Sequence, residues 1–210
     1  MACAPQYQIN ILAGGESELK MENKKISLGD RYAEITVIIV TIIALLAGWF
    51  YKSSVENSSI PFNVEGITAQ APKGWLQSEP SGDELLRTTD RSSSGFSTTY
   101  ILRKVPLAAD TSAAQVSNLL TLGYGQELLA FRVLDQSDVT VFDKAAYEIS
   151  YVFVESNPDL THKNIPSVVR GADYIFINGN YAVVVSFWAD ENNYDLDLNR
   201  FHTFLESISY

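Results

Sequence analysis

A run of 17 uncharged residues near the N-terminus constrains this chain more than any other feature. From Ile35 to Tyr51 the sequence reads ITVIIVTIIALLAGWFY. As a helix this run rises about 25 Å, close to the roughly 30 Å hydrocarbon core of a bilayer. A buried helix of a soluble domain is a poor explanation for so long a run with charged and aromatic ends. The run therefore predicts a transmembrane helix over residues 35–51.

Aromatic and cationic residues bracket this run at both ends. Tyr32 precedes it, and Trp49, Tyr51 and Lys52 lie at its other end. Aromatic rings favour the interface between lipid and water, and a lysine extends its ammonium group into the headgroup region. We expect these four residues to anchor the helix.

The distribution of cations predicts the orientation of the helix. The cations that precede it are Lys20, Lys24, Lys25 and Arg31. Only Lys52 follows it closely, and the next cation is Lys73. The positive-inside rule then predicts a cytoplasmic segment over residues 1–34, a polar linker over 52–61 and an extracytoplasmic domain over 62–210, in the inner or plasma membrane. A cleaved signal peptide stays open as an alternative.

A second alternative concerns the start of the apolar run. Gly29, followed five residues later by Glu34, resembles the processing site of type IV pilins. In that family a peptidase cuts after the glycine, and the glutamate pairs with the new N-terminus of a neighbour. Asp30 and Arg31 depart from the family's mostly apolar positions, and the polar linker predicts that the helix ends soon after the membrane. A pilin-like filament subunit is therefore the rival interpretation.

The region after the linker is acidic and contains no cysteine. Between Ile60 and Tyr210 there are 19 acidic residues and 10 basic ones, a net charge of −9. Nucleic acids are excluded as partners, because neutralising phosphates requires a basic face. The same charge is repelled by an anionic lipid surface and favours a basic protein partner. The only cysteine, Cys3, precedes the apolar run, so the domain must fold without a disulfide.

Hydrophobic patterning predicts a mixed domain of strands and helices. Alternating apolar residues predict strands over 62–71, 85–89, 95–105, 133–142, 146–155, 168–178 and 181–189. Helical spacing predicts a helix that starts at Thr111 or Ser112, is interrupted or ended by Gly123 and Gly125, and is continued by Leu128–Phe131. A closing helix is predicted over 195–209. The layout indicates an α+β fold, an antiparallel sheet flanked by helices and preceded by one transmembrane helix.

Three features of the domain resemble the PsbP-like fold. They are the turn Pro72-Lys73-Gly74-Trp75 after the first strand, the last hairpin, and a final helix of the form Phe201-x-x-Phe204-Leu205-x-Ser207-Ile208. That fold is named for an extrinsic subunit of photosystem II and includes the Ran-binding Mog1p proteins. The resemblance spans residues 62–210. It implies an α/β/α sandwich and a non-enzymatic accessory or assembly role beside a larger complex.

One acidic cluster lies before the final helix. Its carboxylates are Asp190, Glu191, Asp195 and Asp197. Closely spaced carboxylates are the oxygen ligands that calcium takes, so they form a candidate metal site. The interpretation we favour is that Asn193 caps the final helix and that Asp195 and Asp197 stabilise its positive N-terminal end.

No catalytic constellation is visible in the sequence. There is no Gly-x-Ser-x-Gly motif, and we expect His162 in a polar loop and His202 on the exposed side of the final helix. We expect neither an enzyme nor a cofactor. The aromatic residues at period-two spacing are expected to be sheet core: Tyr147, Tyr151, Phe153, Tyr174, Phe176, Tyr181, Phe187 and Trp188.

The leading functional hypothesis is a membrane-anchored accessory or assembly subunit of a bacterial envelope membrane complex, such as a photosynthetic or respiratory one. The domain would bind a partner protein. The small residues Ala44, Ala47 and Gly48 would pack against the partner's transmembrane helices. Besides the pilin-like subunit, a module that binds or senses a small ligand between sheet and helix is the remaining alternative.

Overall fold

The computed structural model describes residues 28–56, 58–93, 95–156 and 166–210. The chain divides into two units, Met1–Tyr51 and Lys52–Tyr210. Several residues singled out from the sequence lie outside the described part of the chain, namely Cys3, Lys20, Lys24, Lys25 and His162. Predictions that depend on them stay predictions.

A single long helix contains the predicted membrane segment. Helix α1 spans Leu28–Glu56, and its part Tyr32–Ser54 is 23 residues long with a mean hydropathy of 2.2. By length and composition this part can cross a membrane, and none of it is buried. The hydroxyl groups of Thr36 and Thr41 donate to backbone carbonyls one turn earlier, each at 2.8 Å. Neither threonine therefore carries an unsatisfied hydroxyl, as a helix that crosses lipid requires.

The predicted linker over 52–61 is largely wrong. Helix α1 continues to Glu56, and strand β1, Ser59–Val64, begins three residues later. The serines that follow Lys52 do not end the helix, because each serine in a helix interior costs only about 0.5 kcal/mol relative to alanine. The two elements are thus separated by residues 57–58 alone.

The first predicted strand is in fact a hairpin. Strand β1 pairs with β2, Ile67–Pro72, in an antiparallel register. The turn consists of Glu65 and Gly66, with φ values of +52° and +81°. Positive φ at both central residues matches the two-residue turns that suit the twist of a hairpin. Alternation alone did not reveal this turn.

Seven further strands form one antiparallel sheet. They are β3 Leu76–Ser78, β4 Glu84–Thr89, β5 Thr99–Pro106, β6 Leu129–Val141, β7 Lys144–Glu155, β8 Ser167–Asn178 and β9 Tyr181–Asp190. Their order is β3-β4-β5-β9-β8-β7-β6. The predicted hairpin β8–β9 is confirmed, with Gly179 at φ +60° in its turn. Because β8 and β9 lie at the centre, they carry the longest runs of buried residues.

Helix α2, Ala113–Glu127, begins as predicted but does not end as predicted. The hydroxyl of Ser112 accepts a hydrogen bond from the backbone of Gln115, whose side chain accepts one in return. The helix continues through Gly123 and Gly125. Packing of its buried face against the sheet outweighs the roughly 1 kcal/mol that each glycine costs. Residues 129–131, predicted to extend the helix, begin β6 instead.

The two faces of the sheet are covered by different elements. Helix α2 covers one face, where Val116 and Tyr124 pack on β7, β8 and β9. Helix α3, Tyr194–Glu206, and the β1–β2 hairpin cover the other. There Phe201 stacks on Phe187 with ring centroids 4.8 Å apart, and half-buried Trp75 packs against Tyr100 at 4.5 Å. The domain is therefore the expected α+β sandwich.

A glycine in β8 makes room for a buried aromatic ring. Gly171 lies opposite Tyr151 in the β7–β8 pairing, and a Cβ at this position would overlap the tyrosine ring. Tyr151 is fully buried, so its ring has nowhere to move. Close packing at this point depends on the missing side chain.

We expect Gly171→Ala to lower the free energy of unfolding by about 1–3 kcal/mol, because the added methyl group overpacks the core. Gly125→Ala is the control, since a Cβ there meets nothing within 4 Å. Within a helix this change should raise stability by up to about 1 kcal/mol. Chemical denaturation of the full-length chain in detergent measures both. Equal stability of Gly171→Ala and wild type would contradict the overlap.

Candidate functional site

A groove of about 430 Å³ lies between α2 and the β3–β4 end of the sheet. Strands β4 and β5 contribute Arg87 and Arg103, α2 contributes Leu119 and Gly123, and β9 contributes Trp188. Both of these α2 residues face the groove because residues four apart share one helix face. The groove thus combines charged, apolar and aromatic groups.

One carboxylate pairs with both arginines of the groove. Arg87 donates to both oxygens of Glu84, with Nε–Oε2 at 3.1 Å and Nη2–Oε1 at 2.5 Å. Nη2 of Arg103 lies 3.6 Å from Oε1 of the same residue. Burial alone would raise the pKa of Glu84, but the hydrogen bond from Arg87 and the two positive charges lower it below its usual value. Glu84 therefore stays ionised and holds both guanidinium groups.

A buried hydrogen-bond network lies beneath the groove. Nη1 of Arg103 donates to the Tyr124 hydroxyl at 2.6 Å, and that hydroxyl donates to Oδ2 of Asp173 at 2.9 Å. The Tyr151 hydroxyl donates to Oδ1 of Asp173 at 2.9 Å, and Nε1 of Trp188 donates to Tyr151 at 2.6 Å. Four elements, β5, α2, β7 and β9, are tied through this network to β8.

Burial sets the protonation of this network. It raises the pKa of Asp173, against the opposing effects of Arg103 and of the hydroxyl groups that bond to the carboxylate. Burial also raises the pKa of Tyr124 and of Tyr151, so both phenols keep their protons and donate. Asp173 has no exposed surface, so it does not reach a molecule in the groove. Its contribution is to fix Tyr124 and, through it, α2.

Sequence reasoning missed this network. The available signals were an aspartate inside the apolar run of β8 and an arginine inside that of β5. Charged residues are rarely fully buried unless they are paired. A search for charges at core positions would therefore have found Asp173 and Arg103.

The predicted metal site is not assembled. Its four carboxylates are Asp190, Glu191, Asp195 and Asp197. Oδ1 of Asp190 accepts from the backbone and side chain of Asn192, while Oδ2 of Asp197 accepts from the Thr98 hydroxyl at 2.6 Å. The other two carboxylates are exposed. Within the described ranges, no three acidic, histidine or cysteine side chains are grouped to hold a metal.

The capping prediction is correct in position but not in contact. Asn193 is the residue before α3, yet its side chain makes no capping hydrogen bond. Its backbone is helical, with φ −108° and ψ −5°, whereas a capping side chain requires an extended residue. Asp195 and Asp197 do lie in the first turn of α3. His202, expected on the exposed side, is half-buried.

The predicted anchor and packing residues lie on α1. Tyr32, Trp49 and Tyr51 are 68%, 68% and 73% exposed, and Lys52 is exposed as well. The small residues Ala44, Ala47 and Gly48 are also exposed, and a Cβ at Gly48 meets nothing within 4 Å. Contact with lipid or with another helix stays a prediction for all seven.

Comparison with solved structures identifies the fold of the domain. The solution structure of cyanobacterial PsbP (CyanoP) from Synechocystis aligns with a TM-score of 0.52 at 11% identity, covering 72% of this chain and 92% of that chain. The Ran-binding protein Mog1p of Saccharomyces cerevisiae aligns at 0.43 with 11% identity, covering 72% and 96%. LpqN of Mycobacterium tuberculosis, involved in cell envelope biogenesis, aligns at 0.42 with 14% identity, covering 73% and 85%.

The domain has the PsbP-like fold, as the sequence resemblance predicted. This assignment depends on the cyanobacterial PsbP structure, whose TM-score exceeds 0.5. At such low identity the likeness concerns the fold alone. No family model matches the chain, and no curated protein matches it.

We expect Asp173→Asn to change how stability depends on pH. Burial holds the pKa of Asp173 above the roughly 3.9 of an unfolded chain, so the folded state binds this proton more tightly. The stability that this gives is complete below the unfolded pKa and is lost as pH rises through the folded pKa. Asparagine has no proton to lose, so the wild type should lose stability relative to this variant as pH rises above about 4.

Denaturation of both chains across this pH range measures the effect. Asp138→Asn is the control, because Asp138 is exposed on β6 and its variant should differ less from wild type. If the wild type instead becomes more stable relative to Asp173→Asn as pH rises, the charge of Arg103 overcomes the effect of burial on the pKa of Asp173.

Proposed function

We propose that the chain is a membrane-anchored accessory subunit that binds a partner protein and catalyses no reaction. The observation that carries this proposal is the 23-residue apolar stretch Tyr32–Ser54, none of it buried. Leaving so much apolar surface in water costs roughly 25 cal/mol per Å². Lipid or the helices of another membrane protein relieve that cost.

The domain supports a binding role in two ways. Its fold is that of a family named for an extrinsic subunit of photosystem II, which favours attachment to a larger complex. Its groove holds two guanidinium groups already paired with Glu84 and the phenol of Tyr124, which keeps its proton, so these side chains serve contact more readily than chemistry. The partner we propose is an integral membrane complex of a bacterial envelope, with the domain on the extracytoplasmic side.

The first test concerns the membrane. The full-length chain should stay with membranes after an alkaline carbonate wash, and Ile39→Arg combined with Ile43→Arg should release it, because each central arginine costs about 3 kcal/mol. The control is the pair Ile39→Leu and Ile43→Leu, which keeps the helix apolar. A wild-type chain that is soluble without detergent would exclude an anchor.

The second test concerns the partner. Ala44 and Gly48 are four residues apart, so they share the face on which a second helix could approach closely. After purification in mild detergent, the variant that combines Ala44→Leu and Gly48→Leu should no longer bring down the membrane proteins that accompany the wild type. The variant itself should remain in the membrane fraction. The leucine pair at positions 39 and 43 is again the control. Failure of the wild type to bring down any membrane protein would contradict the accessory role.

A pilin-like subunit is the second candidate, and one observation favours it. Helix α1 runs without interruption from Leu28 through the Gly29 and Glu34 positions to Glu56, further than the sequence led us to expect. Cleavage after Gly29 would give a mature chain starting at Asp30. The mass of the N-terminal peptide of the native protein distinguishes this candidate from an accessory subunit.

A further inference from the structure

The groove beside α2 carries apolar surface that nothing in the described domain covers. Leu119, at its edge, is 66% exposed, and half-buried Leu120 and Leu128 line the groove beside it. These three leucines form the apolar part of the groove. Exposed apolar surface that is rimmed by charged residues favours a contact surface.

The groove face of α2 lacks a side chain at one position where another helix could approach. Gly123 lines the groove, and a Cβ there meets nothing within 4 Å. Glycine lets two backbones come closer than other residues do. Gly123 also costs α2 about 1 kcal/mol relative to alanine, a cost without benefit inside the isolated domain.

The charges of the groove favour a basic occupant. Arg87 and Arg103 both pair with Glu84, and Nε of Arg103 also lies 3.9 Å from Oδ1 of Asp83. Asp83 and Glu127 remain at the exposed rim, and these five ionisable side chains carry a net charge of −1. The surrounding domain has a net charge of −9 from Ile60 to Tyr210. Complementary charge on a partner therefore means lysine or arginine.

We infer that this groove binds an amphipathic helix of the partner protein, with leucine-like side chains against Leu119 and basic side chains against Asp83 and Glu127. The inference depends on the proposed accessory role and names its contact surface. Its volume of about 430 Å³ accommodates a few side chains of such a helix. This arrangement is the helix-in-groove mode of recognition.

A photo-crosslinking residue incorporated into the full-length chain, in its native membrane, tests the proposed contact surface. Benzoylphenylalanine replaces Gly123 in one full-length chain and Gly125 in another. Both sites are open in the free domain, but only Gly123 lines the groove. Irradiation should link position 123 to the partner at least tenfold more than position 125. Sequencing of the linked peptide by mass spectrometry should give a helical segment with apolar and basic residues on opposite faces.

A charge reversal separates the groove from general attraction. Asp83→Lys with Glu127→Lys should reduce the adduct at position 123 by at least tenfold. Glu79→Lys with Glu155→Lys makes the same change of net charge at exposed sites outside the groove and should leave the adduct within about twofold of its original yield. Circular dichroism of each variant confirms that it is folded.

Several outcomes would overturn the inference. They are equal adducts at positions 123 and 125, a linked peptide from a second copy of this chain or from an acidic segment, an adduct with lipid or a small molecule, or equal losses in the two charge reversals. If the wild type still brings down membrane proteins but the chain with benzoylphenylalanine at position 123 gives no adduct, this inference alone fails. If nothing accompanies the wild type, the accessory role fails first.

Discussion

The centre of the sheet can exist only if both of its faces are covered. Strands β8 and β9 bury nearly every side chain from Gly171 to Phe176 and from Ala182 to Phe187, on the faces of α2 and α3 alike. Within this run Asp173 is a charge-bearing group with no exposed surface. A buried carboxyl group without hydrogen-bond partners would destabilise the fold by about 1–3 kcal/mol, and by more if it were charged. Tyr124 and Tyr151 meet that requirement, so the position of α2 is fixed by polar contacts as well as by apolar packing.

The groove is a consequence of this arrangement. Tyr124 reaches inward to Asp173 and outward to Arg103, which extends beside Glu84 to the end of the sheet. The helix is thereby held over β7, β8 and β9, and the β3–β4 end is left open beside it. A contact surface that lies above a buried hydrogen-bond network loses little conformational freedom on binding.

The parts of the fold that the sequence predicted are those with strong local signals. The apolar length of α1, the Asn-Gly-Asn turn between β8 and β9, and the helical spacing of Phe201, Phe204 and Leu205 each identify an element without help from the rest of the chain. The β1–β2 turn was not predicted because Glu-Gly is a weaker turn signal than Asn-Gly. The predicted end of α2 was wrong because packing of Val116 and Tyr124 against the sheet outweighed the cost of two glycines in the helix. Such tertiary contacts are not visible in a local sequence pattern.

The acidic cluster shows why site prediction was harder than fold prediction. Spacing brought four carboxylates together along the chain, but Asp190 serves its own turn and Asp197 holds the loop before β5 through Thr98. The network around Asp173, in contrast, joins residues from Arg103 to Trp188 that no motif connects. A turn satisfies its carboxylates locally, whereas a buried charge must take partners from distant elements. In this domain the isolated charge within an apolar strand is therefore a better guide to the polar network, and to the groove above it, than a run of acidic residues.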